Sequence, residues 1–369
     1  MSILDRIRTG DQLDAMEFPP LSWAVHGLIP EGFGLLTGAP KAGKSWCVLE
    51  IGLAVASGTN ALGKVPTGRE RPVLYFALED GDRRLQGRAR HLLGEGVPIP
   101  PHLHYLTEGT PAEVMAAIPE WLDIYGRTNP LVILDTLGKV MPAALPGEGA
   151  YQRDYRVGSR FKELVKQHPG ATILVVHHVR KAGSDDWMDS TSGTNGLNGA
   201  ADFTLNLSRS RNEEAGVLRV TGRDVPESEY AITNTSGRWT IDGTALVEAA
   251  EKARHLRAVE NLDQRSADIV ELVGQNPEGI TTAAVAESLG ITSSAASTYL
   301  GRLADAGRIA RKSRGLYIPP VGSVGSVGKD GLDTSDPTLP THTTPPCSAC
   351  GFPLDPSVVA EGFTTHPAC

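Results

Sequence analysis

The sequence predicts an α/β protein whose mostly parallel sheet is flanked by helices, followed by a small helical unit and a cysteine-bearing tail. Between residues 21 and about 245, short β-rich runs alternate with helical stretches, the order typical of strands joined by helical crossovers. Three of these runs are apolar at every position, as in strands buried on both faces of a parallel sheet. They are residues 73–77, 131–134 and 173–176.

The elements follow one another in a clear order. The predicted strands are 34–37, 72–77, 131–134, 172–176 and 203–207, then 217–221, 230–234 and 238–241. The last three alternate apolar and polar residues, which indicates a peripheral antiparallel ribbon. The chain divides into an N-terminal segment (1–20), the sheet domain (21–245), a helical connector (246–264), a compact unit (265–320), a flexible linker rich in Gly, Ser, Thr and Pro (321–346) and a cysteine segment (347–369).

The composition is that of a folded protein with two or three domains. Hydrophobic residues make up 40% of the 369 residues and charged residues 21%, close to the globular average, and domains average roughly 150 residues. The net charge of −8 argues against a protein whose whole surface coats nucleic acid, but it leaves room for a local basic site.

The pattern of apolar residues also bears on location. The longest mostly apolar stretch, residues 46–57, is interrupted by Glu50 and is shorter than the roughly 20 residues that a membrane helix needs. The first residues show no apolar core followed by a cleavage site. We therefore expect a cytoplasmic protein that does not contact the membrane.

Residues 38–45 carry a phosphate-binding pattern: a glycine, four residues, then Gly43, Lys44 and Ser45. The pattern follows a predicted strand and opens a predicted helix, as its mechanism requires. Backbone N–H groups and the helix N-terminus would surround a phosphate, Lys44 would reach the β- and γ-phosphates, and Ser45 would supply an oxygen to Mg²⁺. The expected contacts with ATP and Mg²⁺ are Gly38, Ala39, Pro40, Lys41, Ala42, Gly43, Lys44, Ser45 and Trp46.

Two further strands end in carboxylates. Asp135 follows an apolar run and is the expected partner of Mg²⁺, through water or Ser45. Glu79 follows another run and is placed to orient or deprotonate the water that attacks a phosphate. An exposed loop carboxylate or a helix cap is the alternative interpretation of Glu79, and Asp80 is the weaker candidate for the same role.

A third strand runs into His177 and His178, followed by Arg180 and Lys181. Either imidazole at this sheet edge could sense the γ-phosphate by hydrogen bonding, with His178 favoured. The alternative is a structural histidine at a strand end.

These motifs resemble the RecA-like ATPase core, and most of all the RepA-type hexameric helicases of bacteria, plasmids and phages. The resemblance rests on residues 38–45, 77–80, 134–135 and 177–181, and on residues 193–202 after the histidines. It implies that Glu79 is the catalytic base, that Asp135 lies on the Mg²⁺ side, and that a histidine links the phosphate to a DNA-facing loop. That loop would be residues 182–195, whose three aspartates are unfavourable for tracking a phosphate backbone.

The resemblance also implies a homo-oligomer, as in a hexameric ring. In such enzymes a basic residue of one subunit reaches the γ-phosphate held by its neighbour. Arg219 and Arg223 lie on the 217–221 strand and its exit, and Arg223 is the favoured candidate. A surface ion pair of Arg223 with Asp224 or Glu227 is the alternative.

The unit that follows the connector resembles a winged helix-turn-helix. Ser266, Thr282 and Ser293 precede three helical patterns as caps, and two β-like runs, 308–311 and 315–318, close the unit. Its polar third helix and basic wing favour DNA binding, with a protein-contact module as the alternative. The residues are Ser294, Ser297, Thr298 and Arg302 on the helix and Arg308, Arg311, Lys312 and Arg314 on the wing.

The final segment presents four metal-binding side chains: Cys347, Cys350, His366 and Cys369. Two knuckle-like pairs of this spacing satisfy a closed tetrahedral Zn²⁺ site, which would be structural rather than catalytic. Clustering of the cysteines in one short segment favours a metal site over a disulfide framework. An unstructured tail with free thiols is the alternative.

Together these modules predict an ATP-hydrolysing DNA motor, a helicase that moves on single-stranded DNA in replication and also contacts duplex DNA. The alternative is a DNA-bound ATP-dependent switch, such as an initiator, helicase loader or regulator without unwinding activity. A small-molecule kinase with the same phosphate loop would leave the C-terminal modules without a role.

Overall fold

The computed structural model of the chain describes residues 3–178, 196–210, 213–259 and 264–320. The strands are β1 (Trp23–Val25), β2 (Ile29–Pro30), β3 (Gly32–Gly38), β4 (Val73–Ala77), β5 (Leu103–Leu106), β6 (Leu131–Asp135), β7 (Thr172–His178), β8 (Phe203–Arg209), β9 (Ala215–Gly222), β10 (Ser228–Thr235), β11 (Arg238–Ile241), β12 (Ile280–Thr281), β13 (Ala310–Ser313) and β14 (Leu316–Ile318).

The helices lie between these strands and after them. They are α1 (Gly10–Asp14), α2 (Lys44–Ser57), α3 (Asp82–Leu93), α4 (Pro111–Tyr125), α5 (Ala150–Gln167), α6 (Gly196–Ala200), α7 (Leu246–Val259), α8 (Gln264–Gly274), α9 (Thr282–Ser288) and α10 (Ser293–Asp305). Short 3₁₀ turns occupy Leu4–Arg6, Gly126–Thr128 and Leu137–Lys139.

A nine-stranded sheet dominates the described chain, in the order β11-β10-β9-β8-β3-β7-β6-β4-β5. The six strands from β8 to β5 pair in parallel, whereas β9, β10 and β11 pair antiparallel. The prediction of an α/β fold with a mostly parallel sheet is confirmed. The predicted antiparallel strands extend this same sheet beyond β8.

Helices cover both faces of the sheet, which explains the continuously apolar strands. In β6, Leu131 and Ile133 join one core with α2 and α3, whereas Val132 and Leu134 join a second core with α4 and α5. The edge strand β5 is missing from the sequence prediction because His104 and Tyr105 interrupt its apolar pattern.

A second unit follows α7, with helices α8, α9 and α10 and a small sheet in the order β12-β14-β13. Its core includes Ile269, Val285 and Leu300, each fully buried. These elements give the predicted winged arrangement, with β12 as an additional strand.

Three details of that unit differ from the prediction. The helix caps are Thr281 and Thr292, whose hydroxyls accept hydrogen bonds from backbone N–H groups at 3.2 Å, one residue before the predicted caps. Ser266 is buried within α8 instead of capping it. The wing strands β13 and β14 begin at Ala310 and Leu316, later than the predicted starts at 308 and 315. Their register pairs Arg311 with Tyr317 and Ser313 with Leu316.

The helices in the described parts of the chain are too short or too polar to cross a bilayer.

Candidate active site

The phosphate-binding pattern forms the turn between β3 and α2. Gly38 has φ +150° and Gly43 has φ +103°, a region that favours glycine. An added Cβ would lie 2.4 Å from the Leu207 carbonyl oxygen at Gly38 and 2.9 Å from Trp239 Cζ2 at Gly43. The turn therefore needs both glycines, since the neighbouring strands press against its backbone.

Lys44 lies inside this turn. Its Nζ donates hydrogen bonds to the carbonyl oxygens of Gly38 at 2.8 Å and Ala39 at 3.0 Å. Burial lowers the pKa of Lys44 to about 8, opposed by the charges of Asp135 and Glu79. The lysine thus lies within electrostatic range of both predicted carboxylates.

Asp135 ends β6 and is 2% exposed. One carboxylate oxygen accepts a hydrogen bond from Tyr75 Oη at 3.1 Å, and the Ser45 side chain also hydrogen-bonds to the carboxylate. Burial raises the pKa of Asp135 to about 6, and the bonds to Ser45 and Tyr75 oppose this shift. Its Oδ1 is buried and has no hydrogen-bond partner among the described residues.

This donor set fits Mg²⁺. A buried carboxylate oxygen with unused acceptor capacity lies beside a serine hydroxyl at the start of α2, and Mg²⁺ prefers oxygen ligands with several retained waters. Ser45 and Asp135 would hold the ion together with water and phosphate oxygens. Within the described ranges, no group of three or more His, Cys, Asp or Glu side chains is placed to hold a metal by itself.

Glu79 and His178 meet at the same sheet edge, after β4 and at the end of β7. His178 Nε2 and Glu79 Oε1 are 3.8 Å apart, and each side chain is a little over 40% exposed. Burial and the charge of Lys44 lower the pKa of His178, while Glu79 opposes the shift. The pKa of His177 is lowered chiefly by burial and is opposed by Asp154 of α5. The two histidines are therefore affected by the charges of different carboxylates.

Asp80 and Trp46 have other partners. Asp80 pairs with Arg84 at 3.3 Å and with Arg88, and its side chain is almost buried. The Arg88 guanidinium lies 5.1 Å from the centre of the Trp46 ring, and His91 contacts this ring edge-on at 5.6 Å. These contacts tie the start of α2 to α3.

The two arginine candidates lie within β9 and just after it. Arg219 bonds to Glu229 at 2.9 Å and lies in register with Asn206, which pairs with Thr37 just before the phosphate turn. Arg223 follows β9, where Gly222 pairs with Phe203, the first residue of β8, so it lies at the opposite edge of the sheet from the turn. Its side chain is 61% exposed and 3.8 Å from Asp202, in place of the predicted alternatives Asp224 and Glu227.

Sequence reasoning missed three residues behind the turn. Trp239 Nε1 donates to the Gly43 carbonyl at 3.2 Å, and Arg209 Nε donates to the Ala42 carbonyl at 3.3 Å. Glu50 of α2 accepts a hydrogen bond from the backbone N–H of Trp239 at 2.8 Å, and burial raises the pKa of Glu50 to about 7. The only sequence signal was a carboxylate within an apolar helix.

Two predicted features lie outside the described residues. They are the candidate DNA-facing loop 182–195 and the zinc ligands Cys347, Cys350, His366 and Cys369. Both remain predictions.

Comparisons with known protein families match two parts of the chain. Residues 4–184, just under half of the chain, match the model of an AAA domain family. Residues 262–310 match a model described as winged helix-turn-helix DNA-binding, in agreement with the observed second unit.

Three solved structures are similar to part of this chain. An ATPase domain is 12% identical with a TM-score of 0.46, covering 58% of this chain and 85% of its own. A DnaB-like replicative helicase is 11% identical with a TM-score of 0.45, covering 57% of each chain. The RadB recombinase is 16% identical with a TM-score of 0.42, covering 58% of this chain and 93% of its own. With TM-scores below 0.5, these likenesses establish neither fold nor function.

Proposed function

We propose that the protein is an ATP-hydrolysing, DNA-acting motor with a RecA-like core, a helicase that moves on single-stranded DNA. The observation that carries this proposal is the convergence of Lys44, Ser45 and the buried, half-satisfied Asp135 at one sheet edge, beside the Glu79–His178 pair. A phosphate-binding turn, an Mg²⁺ donor set and an exposed carboxylate are the parts that phosphoryl transfer to water requires.

Each residue has a role in this proposal. Lys44 would exchange its two carbonyl partners for the β- and γ-phosphate oxygens of ATP. Ser45 and Asp135 would hold Mg²⁺, which neutralises phosphate charge when bound. Glu79 would orient the attacking water and accept its proton. Glu79 lies beside Lys44, whose pKa its charge affects, and its exposed carboxylate is accessible to water.

His178 would report the state of the γ-phosphate. It is the histidine that faces Glu79, at 3.8 Å, so a change at the attacking water would reach it directly. A neutral imidazole can both donate and accept a hydrogen bond, and its lowered pKa favours this form near neutral pH.

The second unit would supply a DNA contact. On α10, Ser294, Ser297, Thr298 and Arg302 are all exposed. On the wing, Arg311, Lys312 and Arg314 are exposed as well. Short polar side chains on a helix and basic side chains beside it suit the bases and phosphates of duplex DNA.

A ring-shaped oligomer would give Arg223 a role. The residue lies at the end of the strands opposite the phosphate turn, so it would not serve its own site, and its exposed side chain would act on the site of a neighbouring subunit. Stabilising charge on the transferred phosphoryl group is the role that such an arginine would have.

A DNA-bound ATP-dependent switch without unwinding activity is the second candidate. The aspartates of residues 182–195 favour it, since negative charge there opposes movement along a phosphate backbone. The Glu79–His178 pair favours the motor, because a switch needs no rapid turnover.

ATPase measurement with and without single-stranded DNA, combined with strand displacement, tests the proposal. Lys44→Ala should abolish nucleotide binding, whereas Glu79→Gln should bind ATP with turnover reduced about 100-fold or more. The exposed Glu95→Gln is the matched control and should behave as wild type. Persistent turnover in Glu79→Gln would exclude the base assignment, and DNA-stimulated turnover without strand displacement would favour the switch.

A further inference from the structure

We propose that Tyr151 and Tyr155, at the start of α5, form a stacking platform for the bases of single-stranded DNA. This inference rests on the proposed function and names a contact through which the motor would hold its strand. Four observations support it: the exposure and stacking of the two rings, their position near the phosphate turn, the net charge of α5, and the effect of Asp154 on the end of β7.

The two rings are exposed and parallel. Tyr151 is 53% exposed and Tyr155 is 48% exposed, and their planes differ by 11° with centroids 6.3 Å apart. They are four residues apart in α5, so both side chains lie on one face of the helix. Exposed aromatic faces of this kind suit the successive bases of an unpaired strand, which stack without regard to sequence.

The pair lies at the sheet edge that carries the phosphate turn. β6 ends there at Asp135, and α5 then runs back to the opposite edge, where Thr172 begins β7 beside Leu131 and Gly32. The first turn of α5 is therefore on the active-site side. Among connections of this kind, ligands gather at the carboxyl ends of the strands.

Helix α6 also returns to this place. A Cβ added at Gly196 would lie 2.6 Å from the Tyr151 carbonyl oxygen and 3.1 Å from the Tyr155 nitrogen. The chain that leaves β7 at His178 thus re-enters the described structure against the backbone of α5 at the two tyrosines.

The charge of α5 matches a polyanion. The helix carries Arg153, Arg156, Arg160, Lys162 and Lys166 against Asp154 and Glu163, a surplus of three positive charges in a chain with a net charge of −8. Arg156 is held by Glu148 at 2.7 Å and Lys162 by Asp202 at 2.8 Å. Arg153 lies 3.8 Å from the buried Asp154, and Arg160 donates a hydrogen bond to the Met115 carbonyl at 3.3 Å. The attraction for a DNA backbone therefore comes from the net positive charge of the helix, not from one free arginine.

Asp154 relates the platform to the end of β7 through its charge. It lies between the tyrosines in sequence, is 7% exposed, and is the carboxylate that acts on His177. His178, the next residue, lies 3.8 Å from Glu79. The charge of Asp154 thus acts at the end of β7, the strand that also carries His178 beside Glu79.

The test measures binding of fluorescein-labelled oligo(dT) to the full chain by anisotropy. Replacing both tyrosines, Tyr151→Ala with Tyr155→Ala, should weaken binding about tenfold or more, the effect of losing base stacking. Tyr151→Phe with Tyr155→Phe keeps the rings and should bind within about twofold of wild type. Tyr105→Ala is the matched control, because Tyr105 is 51% exposed on the outer strand β5 and should leave binding unchanged.

A cross-linking measurement reports the contact directly. An oligonucleotide containing 5-iodouracil should photocross-link to the peptide that carries residues 151–155. Wild-type affinity in the double alanine variant, or cross-links confined to other peptides, would overturn the platform. Equal weakening with a duplex probe would also overturn it, since paired bases cannot stack on a side chain.

Failure of the motor can be told apart from failure of the platform. If wild-type protein shows no ATPase activity while the alanine variant loses oligo(dT) binding, the proposed function fails and the platform stands. If ATPase activity is lost in Lys44→Ala as expected but oligo(dT) binding is unchanged in the double alanine variant, the platform is wrong and the proposed function still stands.

Discussion

Gly43 shows how closely the phosphate turn depends on single atoms. Its φ of +103° is strained for any residue with a Cβ, and such an atom would lie 2.9 Å from Trp239. We expect Gly43→Ala to lower the free energy of unfolding by about 1–3 kcal/mol and to weaken nucleotide binding, because Trp239 must move and its bond to the Gly43 carbonyl is disturbed. Urea denaturation and binding of a fluorescent ATP analogue measure the two effects.

Gly87 provides the matched control for that substitution. It is exposed in the middle of α3, and an added Cβ meets nothing within 4 Å. Gly87→Ala should therefore raise stability by up to about 1 kcal/mol and leave nucleotide binding unchanged. Similar losses in both variants would show that the environment of Gly43 has no special role.

Some residues of the site are predictable from the sequence because their chemistry is local. The phosphate turn is a contiguous pattern, and Asp135 and Glu79 each follow a recognisable apolar strand. Trp239 could not be found in this way, since its bond to Gly43 joins residues 196 positions apart. Asp154 was missed because nothing in a helix pattern indicates which buried charge faces which strand.

At the scale of elements, the antiparallel extension of the sheet braces the nucleotide helix. β11 approaches α2 where the buried Glu50 accepts the backbone N–H of Trp239 at 2.8 Å. Burial raises the pKa of Glu50 from 4.5 to about 7, so its charged form is disfavoured inside the fold. The contact between α2 and β11 is therefore sensitive to pH.

The sign of this sensitivity follows from linkage. A carboxyl whose pKa is higher in the folded than in the unfolded state stabilises the fold most fully below pH 4.5, and the stabilisation is lost as pH rises to about 7. Glu50→Gln keeps an acceptor for Trp239 without the charge. It should exceed wild-type stability by up to about 3 kcal/mol above pH 7 and by much less near pH 4.5.

Urea denaturation of both proteins from pH 5 to pH 8 measures this difference. The exposed Glu95→Gln should give a profile parallel to that of wild type. If the free energies of unfolding of Glu50→Gln and wild type differ by the same amount from pH 5 to pH 8, the raised pKa of Glu50 is not the cause of the difference.

Elements were predictable where burial dictated their pattern. Each strand of the central sheet from β3 onward was predicted except β5, because side chains covered on both faces leave a continuous apolar run. The prediction missed β5 because an edge strand is partly exposed and can contain polar residues such as His104 and Tyr105, so it has no continuous apolar run. The predicted helix caps of the second unit lie one residue after the observed caps. Adjacent Ser and Thr residues are about equally good caps, so the sequence alone does not show which of the two begins the helix.

At the scale of the whole molecule, charge is unevenly distributed. The chain has a net charge of −8, yet α5 and the wing of the second unit are locally basic. An acidic protein can bind DNA when basic side chains concentrate on a few surfaces, because exposed charges act over about 10 Å at ordinary ionic strength. The two surfaces should differ in the DNA they prefer, since the tyrosines need unpaired bases and the wing needs only phosphates.

The wing is tested by reversing its charge. Arg314 lies in the turn between β13 and β14, Arg311 packs over Tyr317 with 5.6 Å between guanidinium and ring centre, and Lys312 lies 3.7 Å from Glu278. Replacing all three with Glu should weaken duplex binding. It should also reduce the slope of log affinity against log salt by up to about 3, since each phosphate contact contributes about 0.9.

A second triple variant separates local contacts from net charge. Arg69, Arg90 and Arg127 are exposed on the larger unit, and their replacement by Glu changes the charge of the protein by the same amount. Duplex titrations between 50 and 200 mM salt should show a flattened slope for the wing variant and a slope near wild type for the control. Equal slopes in both variants would assign the second unit to protein contacts, because only contacts with individual phosphates release counterions in proportion to their number.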